Sequence, residues 1–263
     1  MTFYKYQGTG NDFILLDDRN EDFPAAEHQY IARLCHRRFG IGADGLILLR
    51  NCPDYDFQML YYNADGHPGS LCGNGGRCTV AFARQLGLIG LQTRFWAADG
   101  AHDARLEADG TVRLRMQDVA AAQPIGAGPD DVFLDTGSPH LVRFLPPGPL
   151  ATALADLDVV AEGRGLRGLR PHGTNVNFVE APATAAQPWS VRTYERGVED
   201  ETYSCGTGVT AVALAAAGRG GASPVRLRTP GGELEVSFEA RADGSFTNVW
   251  LSGPATLVFE GKL

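Results

Sequence analysis

The chain has 263 residues, 44% of them hydrophobic and 21% charged, which is the composition of a globular protein with material for one or two domains. Lys and Arg total 23 against 31 Asp and Glu, a formal net charge of −8. Because the chain is acidic and has no basic run, we expect neither nucleic-acid nor membrane partners. The opening MTFYKYQGTGNDF lacks a signal-peptide pattern and the longest apolar run, VTAVALAAAG, is too short to span a bilayer, so the expected location is cytoplasmic.

Segments of the first half recur in the second half in the same order and at nearly constant spacing. The pairs are GTGNDFILLD (8–17) with DTGSPHLVRF (135–144), GADGLILL (42–49) with GTNVNFVE (173–180), LYYNADG (60–66) with RTYERG (192–197), and CGNGGRCTVAFA (72–83) with CGTGVTAVALA (205–215). Four matches in one order indicate two tandem domains of one fold. We place them at 1–117 and 118–252, with 253–263 returning to the first domain.

Local patterns predict the elements around these repeats. The stretches 56–63 and 189–196 are rich in aromatic and β-branched residues and predict strands. Largely apolar helices should follow over 77–87 and 209–218, the first ending at Gly87, and both should be buried. A helical insertion over 150–166 should distinguish the second half. The predicted fold class is α/β (α+β), with two pseudo-symmetric domains, each a mixed sheet or barrel around a central helix.

The chain has five cysteines, an odd number that argues against a disulfide framework and favours free thiols. No Cys-x-x-Cys pair is present, so no metal site is predicted. Only Cys72 and Cys205 occupy matching positions of the repeat. Cys35, Cys52 and Cys78 have no counterpart, and we interpret them as structural.

Cys72 and Cys205 each precede a glycine-rich turn at the start of a buried helix. Helix-terminal amides and the helix dipole favour negative charge there, so we expect a thiolate with a depressed pKa and a place for a substrate carboxylate. The alternative is that both are small buried hydrophobes. The duplication favours function: one thiolate removes a proton from a carbon and the other thiol protonates the opposite face, as a two-base racemase or epimerase requires.

GTGNDFILLD, YYNADGHPGSLCGNGGRC, GTNVNFV and TYERGVEDETYSCGTGVTAVA together resemble the diaminopimelate epimerase family. The resemblance implies a pyridoxal-independent isomerase, without cofactor, that interconverts LL- and meso-2,6-diaminopimelate for lysine and peptidoglycan precursor synthesis. It also implies a site in the interdomain cleft and a homodimer.

The resemblance assigns roles to individual residues. Cys72 and Cys205 match the catalytic pair, and His140 and Glu195 match residues that tune the pKa of the cysteines. The substrate-binding matches are Asn11, Asn63, Gly73, Asn74, Asn175, Glu195, Arg196, Gly206 and Thr207. Chemistry supports the set, since Arg196 can clamp a distal carboxylate through two hydrogen bonds and asparagines can both donate and accept. The sequence departs from the family at Ser138, where many relatives have asparagine, and at Gly45, where some have glutamine.

Other interpretations remain open. Asn11 and Asn63 are also turn formers, Arg196 also fits a surface charge, and His140 also fits a loop. For the whole protein, the alternatives are a proline-type racemase, a thiol redox protein and a non-catalytic binding module. A substrate with one amino-acid end would not need Arg196 together with Asn63 and Asn175.

Overall fold

The computed structural model describes residues 1–69, 71–125, 128, 131–148 and 153–263. The chain forms two compact units, Met1–Arg115 with Ser252–Leu263, and Met116–Leu251. The predicted division into two functional half-domains, at 117/118 and 252/253, stays a prediction.

The first unit is built mainly from strands, with two helices. Its elements are β1 (Thr2–Gly8), β2 (Asn11–Asp17), α1 (His28–Cys35), β3 (Gly45–Cys52), β4 (Tyr55–Asn63), α2 (Gly73–Gln85), β5 (Gln92–Ala97), β6 (Gly100–Leu106), β7 (Val112–Arg115) and, from the C-terminal segment, β17 (Thr256–Lys262).

The strands of this unit form a mixed sheet. β1 pairs antiparallel with β2, β2 parallel with β3, β3 antiparallel with β4, and β4 parallel with β5. The antiparallel hairpins β5–β6 and β6–β7 follow. β17 pairs antiparallel with β1, so the C-terminal segment belongs to the sheet of the first unit.

The second unit contains a similar series of elements. They are β8 (Gln123–Pro124), β9 (Val132–Asp135), β10 (Pro139–Phe144), α3 (Val159–Leu166), β11 (Asn175–Glu180), β12 (Trp189–Glu195), β13 (Asp200–Thr202), α4 (Gly206–Ala217), β14 (Val225–Thr229), β15 (Gly232–Ala240) and β16 (Phe246–Gly253).

Strand pairing in the second unit follows the same sequence of directions. β9 pairs antiparallel with β10, β10 parallel with β11, β11 antiparallel with β12, β12 parallel with β14, and β14 antiparallel with β15. The segments that matched in the sequence therefore occupy matching strands of the two sheets. The predicted α+β fold class, with a mixed sheet around a helix in each half, is confirmed.

A buried helix lies against the sheet of each unit. α2 packs against β1–β4, β6 and β7, and α4 packs against β9–β12, β14 and β15. α2 starts at Gly73, directly after Cys72 and earlier than the predicted 77, and it ends before Gly87, whose φ of +73° suits glycine. In the described ranges, no helix is long and apolar enough to cross a membrane.

The predicted long helix over 150–166 is only partly present. Residues 150–152 lie outside the described residues, and the rest forms a short 3₁₀ turn, Leu154–Asp156, followed by α3. The break occurs because Asp158 caps α3, its side chain accepting from the Ala161 amide at 3.0 Å, which starts a new helix at Val159. Val159 and Leu154 pack with Phe178 and Tyr194 on the outer face of β11 and β12.

Candidate active site

Cys72 is the N-cap residue of α2, in extended conformation with φ −94° and ψ 119°. The first helical bond runs from the Gly76 amide to the Cys72 carbonyl at 2.7 Å. The glycines after Cys72 allow tight packing against the sheet, since a Cβ on Gly75 would lie 3.2 Å from Cδ1 of Ile47. The amides of this first turn have no carbonyl in a preceding turn to bond, which is the arrangement that favours an anion.

Asn11 and Asn74 meet beside the start of α2. Nδ2 of Asn74 donates to Oδ1 of Asn11 at 2.5 Å, and Nδ2 of Asn11 donates to Asp44 at 3.0 Å. Thr9 donates to Oδ1 of Asn74 at 3.4 Å. The structure thus brings two predicted binding residues together through their own side chains. Asp44, which orients Asn11, was not among the predicted residues.

Arg77 is a buried cation in the second turn of α2 that sequence reasoning missed. It is 0% exposed, and burial lowers the pKa of its guanidinium, while Cys78 and Cys72 act in the opposite direction. Nη2 donates to Thr9 at 3.0 Å, whereas Nη1 is buried without a hydrogen-bond partner among the described residues. A lone arginine inside CGNGGRC gave no signal that its side chain would turn into the core.

Asn63 and Gly45 lie opposite each other on β4 and β3. Asn63 is exposed at the end of its strand, and its backbone carbonyl accepts from the Gly66 amide in a turn. Gly45 has no room for a side chain, because a Cβ would lie 2.5 Å from both Cε2 of Tyr61 and the Tyr62 carbonyl oxygen. A side chain at position 45 therefore cannot be accommodated without moving both Tyr61 and the backbone at Tyr62.

Cys205 occupies the corresponding N-cap of α4, with φ −114° and ψ 114°. The Val209 amide bonds the Cys205 carbonyl at 2.9 Å, as Gly76 bonds Cys72. Cys205 is 8% exposed, and its Sγ lies 3.4 Å from Oγ1 of Thr207. Both cysteines therefore begin a buried helix in the same backbone conformation, as the repeat predicted.

His140 is buried near Cys205, with its Nε2 2.9 Å from Oγ1 of Thr207. Desolvation, together with the charge of Arg196, lowers the pKa of His140 to about 3. The ring is therefore neutral near pH 7. His140 reaches the cysteine through Thr207, whose side chain the sequence analysis had considered only as part of the carboxylate loop.

Asn175 organises the opposite end of this half-site. Its Nδ2 donates to Oγ of Ser138 at 2.9 Å and to the Pro139 carbonyl at 3.1 Å, and its Oδ1 accepts from the Arg196 amide at 2.8 Å. Since both hydrogens of Nδ2 are used inside the protein, Asn175 holds the loop and Arg196 in place. Its predicted direct contact with substrate stays a prediction.

Arg196 differs from the arginines around it. Arg167 and Arg192 form ion pairs with Glu199 and Glu201 at 2.7 and 2.6 Å. For Arg196, the described residues include no ion-pair partner, and its Nη1 donates to the His172 carbonyl at 3.0 Å. The adjacent Glu195 accepts from Oγ1 of Thr202 at 3.0 Å. A half-buried arginine without a protein carboxylate is suited to bind one from a ligand.

Cys35 and Cys78 have the properties expected of structural thiols. Burial raises the pKa of Cys35 to about 11 and that of Cys78 to about 12. None of the five cysteines forms a disulfide bond in the structure. Among the residues that the structure describes, no cluster of three or more His, Cys, Asp or Glu could hold a metal ion.

The burial of His140 predicts acid sensitivity of the fold. An unfolded histidine binds a proton near pH 6.5 and the folded His140 only near pH 3, so the unfolded state is favoured as the pH falls through this range. Between pH 7.5 and 5, we expect the free energy of unfolding to fall by about 2 kcal/mol more in the wild type than in His140→Gln. Urea unfolding of both proteins at each pH measures this difference. Parallel losses in the two proteins would contradict the assignment.

Comparison with known proteins identifies the family of the chain. The diaminopimelate epimerase family model matches residues 3–120 and 132–258. The diaminopimelate epimerase of Flavobacterium psychrophilum is 48% identical over 99% of both chains, and that of Chlorobaculum tepidum is 43% identical over 97% of this chain and 98% of its own.

Solved structures share the fold at low identity. A Bacillus anthracis phenazine biosynthesis protein of the PhzF family superposes with a TM-score of 0.76 at 13% identity, covering 100% of this chain and 98% of that one. A probable proline racemase from Agrobacterium radiobacter gives 0.66 at 15% identity, covering 100% and 92%. These likenesses concern the fold alone. The family model and the sequence relatives extend over nearly the whole chain, and the protein belongs to the diaminopimelate epimerase family.

Proposed function

We propose that this protein is an isomerase that interconverts LL- and meso-2,6-diaminopimelate by a two-base proton transfer between Cys72 and Cys205. The observation that carries the proposal is the duplicated half-site, in which each cysteine caps a buried, glycine-started helix. Membership of the family supplies the substrate. The reaction would serve lysine and peptidoglycan precursor synthesis, and we expect a cytoplasmic homodimer.

In the proposed reaction, one cysteine is a thiolate and the other a thiol. The thiolate takes the α-proton, so the C–H bond breaks and an S–H bond forms. The second thiol then gives its proton to the opposite face of the carbon and becomes the thiolate. The step is redox-neutral and needs no cofactor, because one sulfur gains a proton from the substrate and the other loses a proton to it. The assignment requires one half-site in each predicted domain, 1–117 with 253–263 and 118–252, and both sulfurs at one α-carbon.

The carbanion formed between these steps must be stabilised, because an α-carbon is a weak acid. Main-chain amides of Gly73–Asn74 and Gly206–Thr207 are our candidates for binding the reacting carboxylate. They belong to first turns that have no side-chain cap in the described parts of the chain. The positive ends of the helix dipoles lower the energy of the negative charge on the carboxylate and the carbanion, and they do so without a further titrating group.

The substrate's second amino-acid end would be recognised by Arg196, with its carboxylate in a bidentate contact. Asn11, Asn63 and Asn175 would complete the polar surroundings, and Glu195 would accept from an ammonium group. This role fits an arginine that has no ion-pair partner within the described ranges, whereas Arg167 and Arg192 are both paired.

The proposal is tested by incubating the reduced protein with LL-diaminopimelate in D2O. We expect meso product carrying one deuterium at one α-carbon, because the thiol that reprotonates the carbon exchanges with solvent. Proline is the comparison substrate, and faster deuterium entry into proline would favour the proline-type racemase. Product formation only with added pyridoxal phosphate or metal would contradict the two-thiol mechanism.

A further inference from the structure

A chain of four polar side chains leads to the sulfur of Cys205; three of them are buried, and the fourth, Thr207, is partly exposed. Oγ1 of Thr193 lies 3.0 Å from Oδ1 of Asn177, and Nδ2 of Asn177 lies 3.1 Å from Nδ1 of His140. Nε2 of His140 lies 2.9 Å from Oγ1 of Thr207, which lies 3.4 Å from Sγ of Cys205. The direction in which each of these hydrogen bonds is donated decides whether the sulfur accepts a hydrogen bond from Thr207.

A backbone carbonyl sets that direction at Asn177. Nδ2 of Asn177 lies 3.0 Å from the carbonyl oxygen of Leu141, which can only accept. The amide must therefore point its NH2 group toward Leu141, and the second hydrogen of the same nitrogen faces Nδ1 of His140. The Thr193 hydroxyl donates to the amide oxygen on the other side. Nδ1 of His140 is consequently an acceptor and carries no proton.

The neutral imidazole has one proton, and with Nδ1 accepting, that proton is on Nε2. Nε2–H donates to the oxygen of Thr207, and the hydroxyl hydrogen of Thr207 is then available to the sulfur. The burial that lowers the pKa of His140 to about 3 keeps the ring in this neutral form, and Arg196 is the charged group that acts on it. A histidine in this tautomer cannot take the thiol proton through Nε2.

The neighbouring packing leaves Asn177 little freedom. A Cβ on Gly208 would lie 2.5 Å from Oδ1 of Asn177 and 3.2 Å from Cβ of Cys205, so only glycine lets the amide come this close to the start of α4. Asn177 and His140 are both fully buried. A buried amide whose hydrogen bonds are satisfied on both sides is held rigidly, because turning it over would leave buried polar groups unpaired.

The packing around the equivalent glycine of the first unit is different in kind. Gly75 stands three residues after Cys72, as Gly208 stands after Cys205. Around Gly75, the nearest side chains are apolar: Cδ1 of Ile47 at 3.2 Å and Cε1 of Phe13 at 3.5 Å from an added Cβ. An asparagine side chain is thus the nearest group to Gly208 where apolar side chains are nearest to Gly75, and general packing of the duplicated fold does not require an asparagine at this place.

We propose that Asn177 is a positioning residue that fixes the Nε2–H tautomer of His140, so that Thr207 donates a hydrogen bond to the sulfur of Cys205. The inference rests on the proposed function for the role of Cys205 as an acid and base. The bond stabilises the thiolate of Cys205 relative to its thiol.

Two variants test the network. Asn177→Asp replaces the donor to Nδ1 by an acceptor, which moves the imidazole proton to Nδ1 and turns Nε2 toward accepting from Thr207. Thr207→Val removes the hydroxyl but keeps the main-chain amide. Thr210→Val is the matched control, because Thr210 lies in the same helix and its hydroxyl donates to the Gly206 carbonyl at 2.9 Å, away from the sulfur.

Two measurements are made on the protein without substrate. Nitrogen-15 spectra of the labelled histidines, assigned with His140→Gln, report the tautomer. The rate of alkylation by iodoacetamide at pH 7.5, located by mass spectrometry, reports the thiolate at Cys205, with Cys72 as the internal reference. We expect Nε2–H in the wild type and Nδ1–H in Asn177→Asp. Alkylation of Cys205 should slow about tenfold in both network variants and stay unchanged in Thr210→Val.

A wild-type Nδ1–H tautomer, or unchanged alkylation of Cys205 in Thr207→Val, would overturn the inference. If Asn177→Asp does not fold, Thr207→Val and the wild-type spectrum still decide. Because neither measurement uses diaminopimelate, they separate the two proposals. A protein with the expected tautomer and reactivity that fails the D2O assay would contradict the proposed function and leave the network standing.

Discussion

Cys72→Ser and Cys205→Ser should each lower kcat for epimerisation by about 10²–10⁴-fold while the protein stays folded. A serine hydroxyl ionises far less readily than a thiol, so either variant lacks one of the two groups that must hold the proton. Loss of either group stops both directions of the reaction, because the acid of one direction is the base of the other. Circular dichroism and the urea midpoint check the fold, and steady-state rates with LL and meso substrate measure the effect.

A matched control and a half-reaction make this prediction sharper. Cys52→Ser changes a partly exposed thiol at the end of β3, outside the proposed machinery, and should leave kcat unchanged. A 3-halo analogue needs only one base, since removal of the α-proton expels halide and leaves an enamine. For each isomer of the analogue, one of the two single variants should retain this elimination, namely the variant that keeps the cysteine facing the α-proton. Near wild-type epimerisation by Cys72→Ser or Cys205→Ser would exclude the two-base mechanism.

The duplicated organisation could be predicted from the sequence because its signals are local. Strands β4 and β12 coincide with runs of aromatic and β-branched residues, and glycines mark the turns at which both central helices begin. The directions of strand pairing could not be predicted from the sequence. β2–β3 and β10–β11 are both parallel pairs, at matching places in the two units. Parallel pairing depends on contacts distant in sequence, and no short motif encodes it.

The polar interior of the second half-site was largely missed, although a signal for Asn177 was present. NVNFVE alternates along β11, so Asn175 and Asn177 share one face while Val176 and Phe178 share the other, which packs near α3. An asparagine repeated at period two on a buried strand indicates an internal network. Its partners His140, Thr193 and Thr207 come from other elements, and only the tertiary structure brings them together.

Arg77 illustrates a different limit. Its neighbours in CGNGGRC are small, and the pattern of α2 predicts a helix that is buried nearly all round, with Arg77 near its start and Arg84 near its end. The structure buries Arg77 completely and anchors it to Thr9 of the β1–β2 turn. Whether an arginine snorkels to solvent or turns inward depends on the polar atoms available in a neighbouring turn, which helix periodicity does not report.

Arg196→Met should lower kcat/KM for diaminopimelate by about 10²-fold or more, because a carboxylate placed beside the site would lose its charged partner and its two hydrogen bonds. Arg196→Lys should lose less, about tenfold, since it keeps the charge without the planar fork. Part of each loss should appear in kcat, because binding energy at the distal end also orients the reacting carbon.

The control for loss of positive charge is Arg228→Met. Arg228 is an exposed arginine on β14 that pairs with Glu233 on β15, and its replacement should leave kcat/KM unchanged. Lysine, which has one amino-acid end and no distal carboxylate, should be turned over poorly by the wild type and no worse by Arg196→Met. The two substrates together separate distal recognition from damage to the half-site, because structural damage lowers both rates. Unchanged diaminopimelate turnover in Arg196→Met would contradict the assignment of Arg196 to the distal carboxylate and favour a substrate with a single amino-acid end.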